Sequence, residues 1–368
     1  MLVKRTSSGF SVLELMIALL LGLMVISGIV QLFVGNSRTY EIVTAQSRLQ
    51  ENARFSFAFI SRAARSAGYF GCAPEDDNIA KHLAGAWDLI PEYNMSEPVG
   101  GWDSNGDGTY TPNDLTTLPR SEGGLNVNVH IDGNGIDRNE LADAGDILVF
   151  RSLQRPVARL ANTLQPTGDP VVSTPGGEPS FAVNDVVVVA DCEQAAVFKV
   201  TAVNAVGDET TLQHAITATG NRFENTATIT TSTGDIIAST MSVVGRSYGA
   251  DATIGVLETT FFFIAESAQV DNRGNPVNAL WQKVGNAAPM ELVQGVADMQ
   301  VLYGVDSTPG DGTANVNQYL TFDAVGDPTD IVAVQVTLDV DSVNTLTEAG
   351  NQRLTRTFTK TLHIRNAG

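Results

Sequence analysis

Oxygen-bearing side chains are concentrated in DSNGDGTYTPND, residues 103–114, at a spacing that suits a hard cation. The stretch matches a D-x-N-x-D-G calcium loop, with Gly108 at the position of the sharp turn. The ligand positions fall on Asp103, Asn105, Asp107, Thr109 (through its carbonyl) and Asp114. The preceding sequence is not helical, and the last ligand is Asp rather than the usual Glu. We predict a calcium site, with a solvated acidic turn as the alternative, and no other cofactor.

A second pattern, GRSYG at residues 245–249, has the spacing of a nucleophile elbow centred on Ser247. An elbow requires a helix directly after the serine, with an acid and a histidine later in the chain. The following residues predict a turn and a strand, and the only later histidine, His363, lies in another strand pattern. The sequence therefore predicts a protein that is not an enzyme, with a membrane-tethered hydrolase as the alternative.

The third candidate is a carboxylate, Glu14, at the start of a long apolar run. Residues 15–34 carry no charge, and twenty helical residues span about 30 Å, the thickness of a hydrocarbon core. An ionised side chain in a membrane is costly, so Glu14 is expected to have a partner or a function. The run is too long for a cleaved signal peptide, and we predict a membrane-spanning helix over about residues 10–34.

Charge and cysteine usage indicate where the rest of the chain lies. Lys4 and Arg5 precede the apolar run, which predicts a cytoplasmic amino terminus and an exported body. Export favours a disulfide between the two cysteines, Cys72 and Cys192, with two buried thiols as the alternative. With 41 acidic residues against 22 Lys and Arg, the net charge of −19 argues against nucleic-acid binding.

Helical periodicity continues beyond the apolar run. Apolar residues recur at steps of three and four, the pattern of one buried helix face. They are Ile42, Ala45, Leu49, Ala53, Phe57, Ile60, Ala64 and Ala67. We predict one continuous helix over residues 10–67 with Gly68 as its stop, and two helices broken near Gly35 and Asn36 as the alternative.

The remaining chain has two segments that differ in amino-acid composition. Residues 68–144 are dense in Gly, Asp, Asn and Pro, which predicts a loop-rich segment. Residues 145–368 contain short runs rich in Val, Ile, Thr and Phe, several with period two, which predict antiparallel strands. The sequence thus predicts an α+β protein in which a long amino-terminal helix packs on an antiparallel sheet head.

The amino terminus, Gly9 followed by FSVLELMIALLLGL, closely resembles the class III signal of type IV pilins and type II secretion pseudopilins. The resemblance implies a leader of residues 1–9, cleavage between Gly9 and Phe10 by a prepilin peptidase, and N-methylation of Phe10. It also implies that Glu14 meets the new amine of a neighbouring subunit as helices bundle in a fibre. In low dielectric such a pair offsets the desolvation of the carboxylate.

Further patches resemble the PilW-type minor pilins. They are RLQENARFSFAFISRAARSAGYFGC, LVQGVADMQVLYGVD, NQYLTFDAVGDPTDIVAVQVTLDV and TFTKTLHIRN. The resemblance implies a structural minor pilin, held in the inner membrane with a periplasmic head, that primes type IV pilus assembly and lies near the tip of the extracellular pilus.

The same resemblance implies a set of partners and two alternatives. The partners would be other minor pilins, the major pilin, the prepilin peptidase and a large tip adhesin, and the pilus would serve cell adhesion and twitching motility. A minor pseudopilin of a type II secretion system shares the signal and the architecture. A calcium-dependent adhesive tip module acting through residues 103–114 is the other alternative.

Overall fold

The computed structural model describes residues 11–72, 79–83, 95, 97–103, 145–154, 157–165, 168–216, 225–230, 236–238, 247–285, 287–308, 314–346, 350 and 352–366. Over these residues the protein has one α-helix, α1 (Val12–Ser66), followed by a head of β-strands. The strands are β1 (Ile79–Leu83), β2 (Val99–Trp102), β3 (Ile147–Leu153), β4 (Ala158–Leu160), β5 (Val171–Ser173), β6 (Val186–Ala190), β7 (Ala195–Lys199), β8 (Ala202–Val206), β9 (Glu209–Gln213), β10 (Asn225–Thr230), β11 (Ile236–Ala238), β12 (Thr253–Val270), β13 (Pro276–Val284), β14 (Met290–Gln294), β15 (Val296–Val305), β16 (Gln318–Leu320), β17 (Ile331–Asp341) and β18 (Thr355–His363). The predicted α+β class is confirmed.

Helix α1 is continuous over 55 residues, about 80 Å, and does not break at Gly35. Its amino-terminal cap is Ser11, whose side chain accepts a hydrogen bond from the amide of Leu13. Its carboxy-terminal cap is Ala67, and Gly68 follows with a φ of +74°. Because a left-handed residue ends many helices and favours glycine, the predicted stop is confirmed.

The larger sheet has 14 strands and is organised around β12, which is 18 residues long. The first residues of β12 pair with β6 and β4, and its later residues pair with β3 and β13. One strand therefore belongs to two branches of the sheet. The first branch runs from β12 through β6, β7, β1, β10 and β11 on one side and through β4, β5, β9 and β8 on the other. The second branch includes β2, β3, β13 and β14.

A smaller sheet of four strands, in the order β16-β15-β17-β18, lies against the helix. Strands β15 and β17 pair over nearly their whole length, and β18 pairs with β17 from Thr355 to His363. The inner face of this sheet, the β3–β12–β13 branch and the buried stripe of α1 form one apolar core. The sheet thereby fixes the helix to the head.

The segment predicted as loop-rich, residues 68–144, contains two strands that the sequence did not indicate. Strand β1 pairs in parallel with β7 and antiparallel with β10, and β2 pairs with β3. Both are short, and β2 has the sequence VGGW, in which two glycines remove the side-chain alternation that marks a strand. All other strand pairs in the described part of the chain are antiparallel.

Candidate functional site

The first half of α1 lies outside the head. Its large apolar side chains are exposed from Val12 to Val34, for example Leu20 at 57% and Phe33 at 74%. Among the described residues α1 is the one helix that is long and apolar enough to cross a membrane, with a mean hydropathy of 2.6 over its most apolar window. An uncovered apolar surface of this size is unfavourable in water, so the helix fits a membrane-anchored protein.

Glu14 lies in the first turn of this exposed half. Its Oε2 accepts a hydrogen bond from the amide of Ser11 at 3.4 Å, while the hydroxyl of Ser11 accepts one from the amide of Leu13 at 3.3 Å. The two residues form a reciprocal capping box, and the carboxylate lies at the positive end of the helix dipole. Gly9 and Phe10, the predicted cleavage and methylation positions, lie outside the described residues.

The second half of α1 is bound to the head along one face. Leu49 and Ile60 are almost completely buried among the strands. The side chain of Asn52 donates to the carbonyl of Gln294 at 2.9 Å, so polar contacts reinforce the apolar ones. The periodic stripe predicted from Ile42 onward is thus the face that the head covers.

The predicted disulfide is present between Cys72 and Cys192, with their Cα atoms 4.4 Å apart. Cys72 follows the end of α1, and Cys192 lies in the turn between β6 and β7. The bond joins residues 120 positions apart and ties the chain leaving the helix to the larger sheet.

A groove of about 630 Å³ runs beside α1 where the helix leaves the head. Helix residues from Tyr40 to Phe59 form one wall, and β14 with the segment after β17 forms the other. The rim carries exposed aromatic surface on Tyr40 and Phe55. The Oδ1 atom of Asp341 is buried at this groove without a hydrogen-bond partner among the described residues.

Of the predicted calcium ligands the structure describes Asp103, directly after β2. It is 7% exposed and, like the buried Asp146 and Arg151, lies close enough to Tyr303 to interact with it electrostatically. The carboxylate of Asp146 accepts a hydrogen bond from the amide of Val301 at 2.7 Å. The other predicted ligands lie outside the described residues: Asn105, Asp107, Thr109 and Asp114.

A buried tyrosine adjoins this polar cluster. The hydroxyl of Tyr303 donates to the carbonyl of Gly100 at 3.2 Å. Burial, followed by the negative charges of Asp146 and Asp103, raises the pKa of Tyr303 well above its ordinary value of 10.0. A side chain at Gly101 would overlap the tyrosine hydroxyl, so close packing accounts for the glycine in β2.

The surroundings of Ser247 do not form a nucleophile elbow. The carbonyl of Ser247 accepts a hydrogen bond from the side chain of Gln194 at 2.7 Å, and Tyr248 pairs with Leu164 in a β-bridge. The chain then turns and enters β12, where an elbow would require a helix. Ser247 and Gly249 therefore precede a strand and not a helix.

One polar junction was not foreseen from the sequence. Asp271, buried in the turn between β12 and β13, accepts hydrogen bonds from the amides of Arg273 and Asn275 at 2.8 and 2.9 Å and from the guanidinium of Arg353 at 3.2 Å. The bonds from Asn275 in particular hold the pKa of Asp271 well below its usual range. The D-x-x-G-N spacing is a signal that would have indicated the turn, but not its contact with Arg353.

Comparisons with known proteins bear on the head. Residues 261–366 match the family model of the type IV pilus-assembly protein W. No curated protein and no solved structure matches the chain significantly. The matched region runs from the middle of β12 to the end of β18 and holds the four-stranded sheet that binds the helix. The carboxy-terminal region of the chain is therefore similar to PilW-type pilus-assembly proteins.

Proposed function

We propose that the protein is a minor pilin that primes type IV pilus assembly and lies at or near the pilus tip. The observation that carries the proposal is one uninterrupted helix whose apolar half is wholly outside the head and whose second half is packed against the PilW-type region. Such a subunit can leave a membrane and enter a helical bundle without a change of fold, because its membrane helix and its fibre helix are the same element.

The proposed membrane topology follows from the same helix. The amino end would lie in the cytoplasm and the head in the periplasm, since Lys4 and Arg5 precede the span. The disulfide Cys72–Cys192 supports an oxidising compartment for the head. Cleavage after Gly9 and methylation of Phe10 would then produce the subunit that assembles.

Glu14 would act in assembly. In the single chain its carboxylate caps its own helix, and no cation of the described residues lies within 4.0 Å of it. In a bundle of apolar helices, the methylated amine of a neighbouring subunit would supply the opposite charge. The partners would be other minor pilins, the major pilin and a large tip adhesin, after the prepilin peptidase has acted.

The phenotype of a deletion strain separates this proposal from its nearest alternative. In a strain deleted for the protein, we expect few or no surface pili and loss of twitching, with type II secretion unchanged. Complementation should restore pili, and immunogold labelling of the head should mark pilus ends instead of the shaft. Normal pili together with lost secretion would instead identify a minor pseudopilin of a type II secretion system.

A further inference from the structure

The last strand of the four-stranded sheet has a free edge. Strand β18 pairs with β17 on one side, and no described residue bonds to its backbone on the other side. Seven of its nine residues are exposed. An open edge of this length is a template for pairing with another extended chain unless the protein protects it.

Positive charges that have no carboxylate partner among the described residues line this edge. Alternate residues of a strand share a face, and the face of β18 that meets the helix carries Arg356 and Lys360. The ammonium of Lys360 donates to the hydroxyl of Ser61 at 3.1 Å and lies 5.8 Å from the ring of Phe57. The edge strand and the helix are therefore in direct contact.

Two exposed arginines of the helix lie on the face that contacts β18. Arg54 and Arg65 lie seven residues before and four residues after Ser61, so all three share one helix face. We call Arg54, Arg65, Arg356 and Lys360 the cationic seam. No carboxylate of the described residues lies within 4.0 Å of any seam cation. This is unusual in a chain with a net charge of −19.

The outer face of β18 differs in character. It carries Thr355, Thr357, Thr359 and Thr361, and Thr359 contacts Thr337 of β17 at 3.1 Å between their hydroxyl oxygens. Threonine favours extended strands and pairs well with a β-branched residue on a neighbouring strand. A strand added to this edge would thus meet cations on one face and threonines on the other.

We propose that β18 accepts an added strand from a partner protein, an extended segment with Asp or Glu at every second position and β-branched or Thr residues between them. The seam cations would pair with its acidic face, and its backbone would complete the free edge. Charges on edge strands ordinarily prevent pairing, and here they would repel a second β18 while attracting an acidic strand. The inference is independent of the pilus-assembly role.

Lipid headgroups do not suit this seam. Arg54 lies twenty residues beyond Val34, the end of the predicted span, which is about 30 Å along the helix. Arg65 lies farther still. At physiological ionic strength the attraction between exposed charges is largely screened beyond about 8 Å. A polypeptide is therefore the favoured anionic partner.

The test uses the full chain in micelles of an uncharged detergent and a labelled nine-residue peptide that alternates threonine and glutamate. We expect saturable binding by fluorescence anisotropy, weakened by added salt, and slowed hydrogen exchange at the amides of β18. A peptide of the same composition with its glutamates in one block, and one with lysine in place of glutamate, should bind much more weakly.

Variants identify the surface. The double variant Arg54→Gln, Arg356→Gln should weaken binding about tenfold, since one cross-strand charge pair and one charge pair with the helix are lost. It leaves intact Lys360, whose contacts with Ser61 also hold the helix. The matched control Arg62→Gln, Arg159→Gln removes one exposed helix cation and one exposed strand cation outside the seam and should bind within about twofold of the wild type.

Three outcomes would overturn the proposal. Equal binding of the blocked and alternating peptides would show general charge attraction without strand addition. Unchanged exchange at β18 would place the peptide elsewhere. Self-association of the chain that the seam variant abolishes would make a second copy the occupant in place of an acidic partner.

Discussion

Two contacts at the scale of single residues were not predicted from the sequence. Ser11 and Glu14 form a capping box, and their S-x-x-E spacing is a known signature from which it could have been predicted. Asp271 joins the β12–β13 turn to Arg353, 82 positions later, and no sequence pattern reports such a long-range contact.

The Asp271 junction makes a prediction about pH. Its pKa is lower in the folded protein than the ordinary value of about 3.9, so its contribution is complete above that pH and is lost as the pH falls through the folded pKa. We expect the melting temperature of the wild type to fall more steeply between pH 5 and pH 3, about the ordinary pKa, than that of Asp271→Asn. Parallel curves for the two proteins would contradict this role.

The calcium site stays a prediction, and the burial of Asp103 decides which ligands should be substituted to test it. Asp103 is buried near Tyr303, so changing it would disturb the head whether or not calcium binds. The suitable variant is Asp107→Ala, Asp114→Ala. We expect the wild type to bind calcium with a dissociation constant of about 10⁻⁴ to 10⁻³ M by calorimetry, and the double variant not to bind. Melting temperatures that are equal in calcium and in chelator for both proteins would show an acidic turn without a metal.

At the scale of elements, long periodic segments were predictable and short ones were not. The helix was predictable because its apolar stripe repeats over many turns, and β17 because apolar and polar residues alternate from Val334 to Asp341. Strands of three residues, such as β4, β5 and β11, are too short to show a period. Strand β12 belongs to two branches of the sheet because of tertiary packing, and a local sequence pattern does not predict such packing.

The contact between helix and head makes a stability prediction. Ile60 is fully buried between α1 and the sheets, so Ile60→Ala should lower the free energy of unfolding by about 2–5 kcal/mol. The control is Val43→Ala, because Val43 lies on the same helix and its side chain is 57% exposed. This substitution should change the free energy of unfolding by about 0.5 kcal/mol or less. Urea unfolding of the full chain in detergent, followed by tryptophan fluorescence, measures both. Equal midpoints would show that the helix does not stabilise the head.

The disulfide makes a second prediction at this scale. Because it closes a loop of about 120 residues, Cys192→Ser should lower the free energy of unfolding by about 2–5 kcal/mol. Reduced wild type should unfold at the same point as the variant, which serves as its control. Recovery of periplasmic protein in which alkylation labels both thiols would contradict the disulfide.

At the scale of the whole molecule, one helix serves two environments. Its first half is apolar on all sides and exposed, and its second half is amphipathic and covered by the head. The PilW-type match lies at the other end of the chain, in the sheet that holds this helix. The head thus fixes the direction of an anchor whose apolar surface is free to meet other helices, which is the arrangement a fibre subunit requires.

The central claim, that this helix carries the protein into a pilus through Glu14, is tested most directly by the piliation of a deletion strain complemented with Glu14→Ala. We expect the variant to be cleaved after Gly9, to reach the inner membrane and to leave the cell with few or no pili, because the carboxylate that would pair with the neighbouring amine is gone. Glu41→Ala, which removes a glutamate of the same helix beyond the span, should restore pili to the wild-type number. Wild-type piliation with Glu14→Ala would contradict the account.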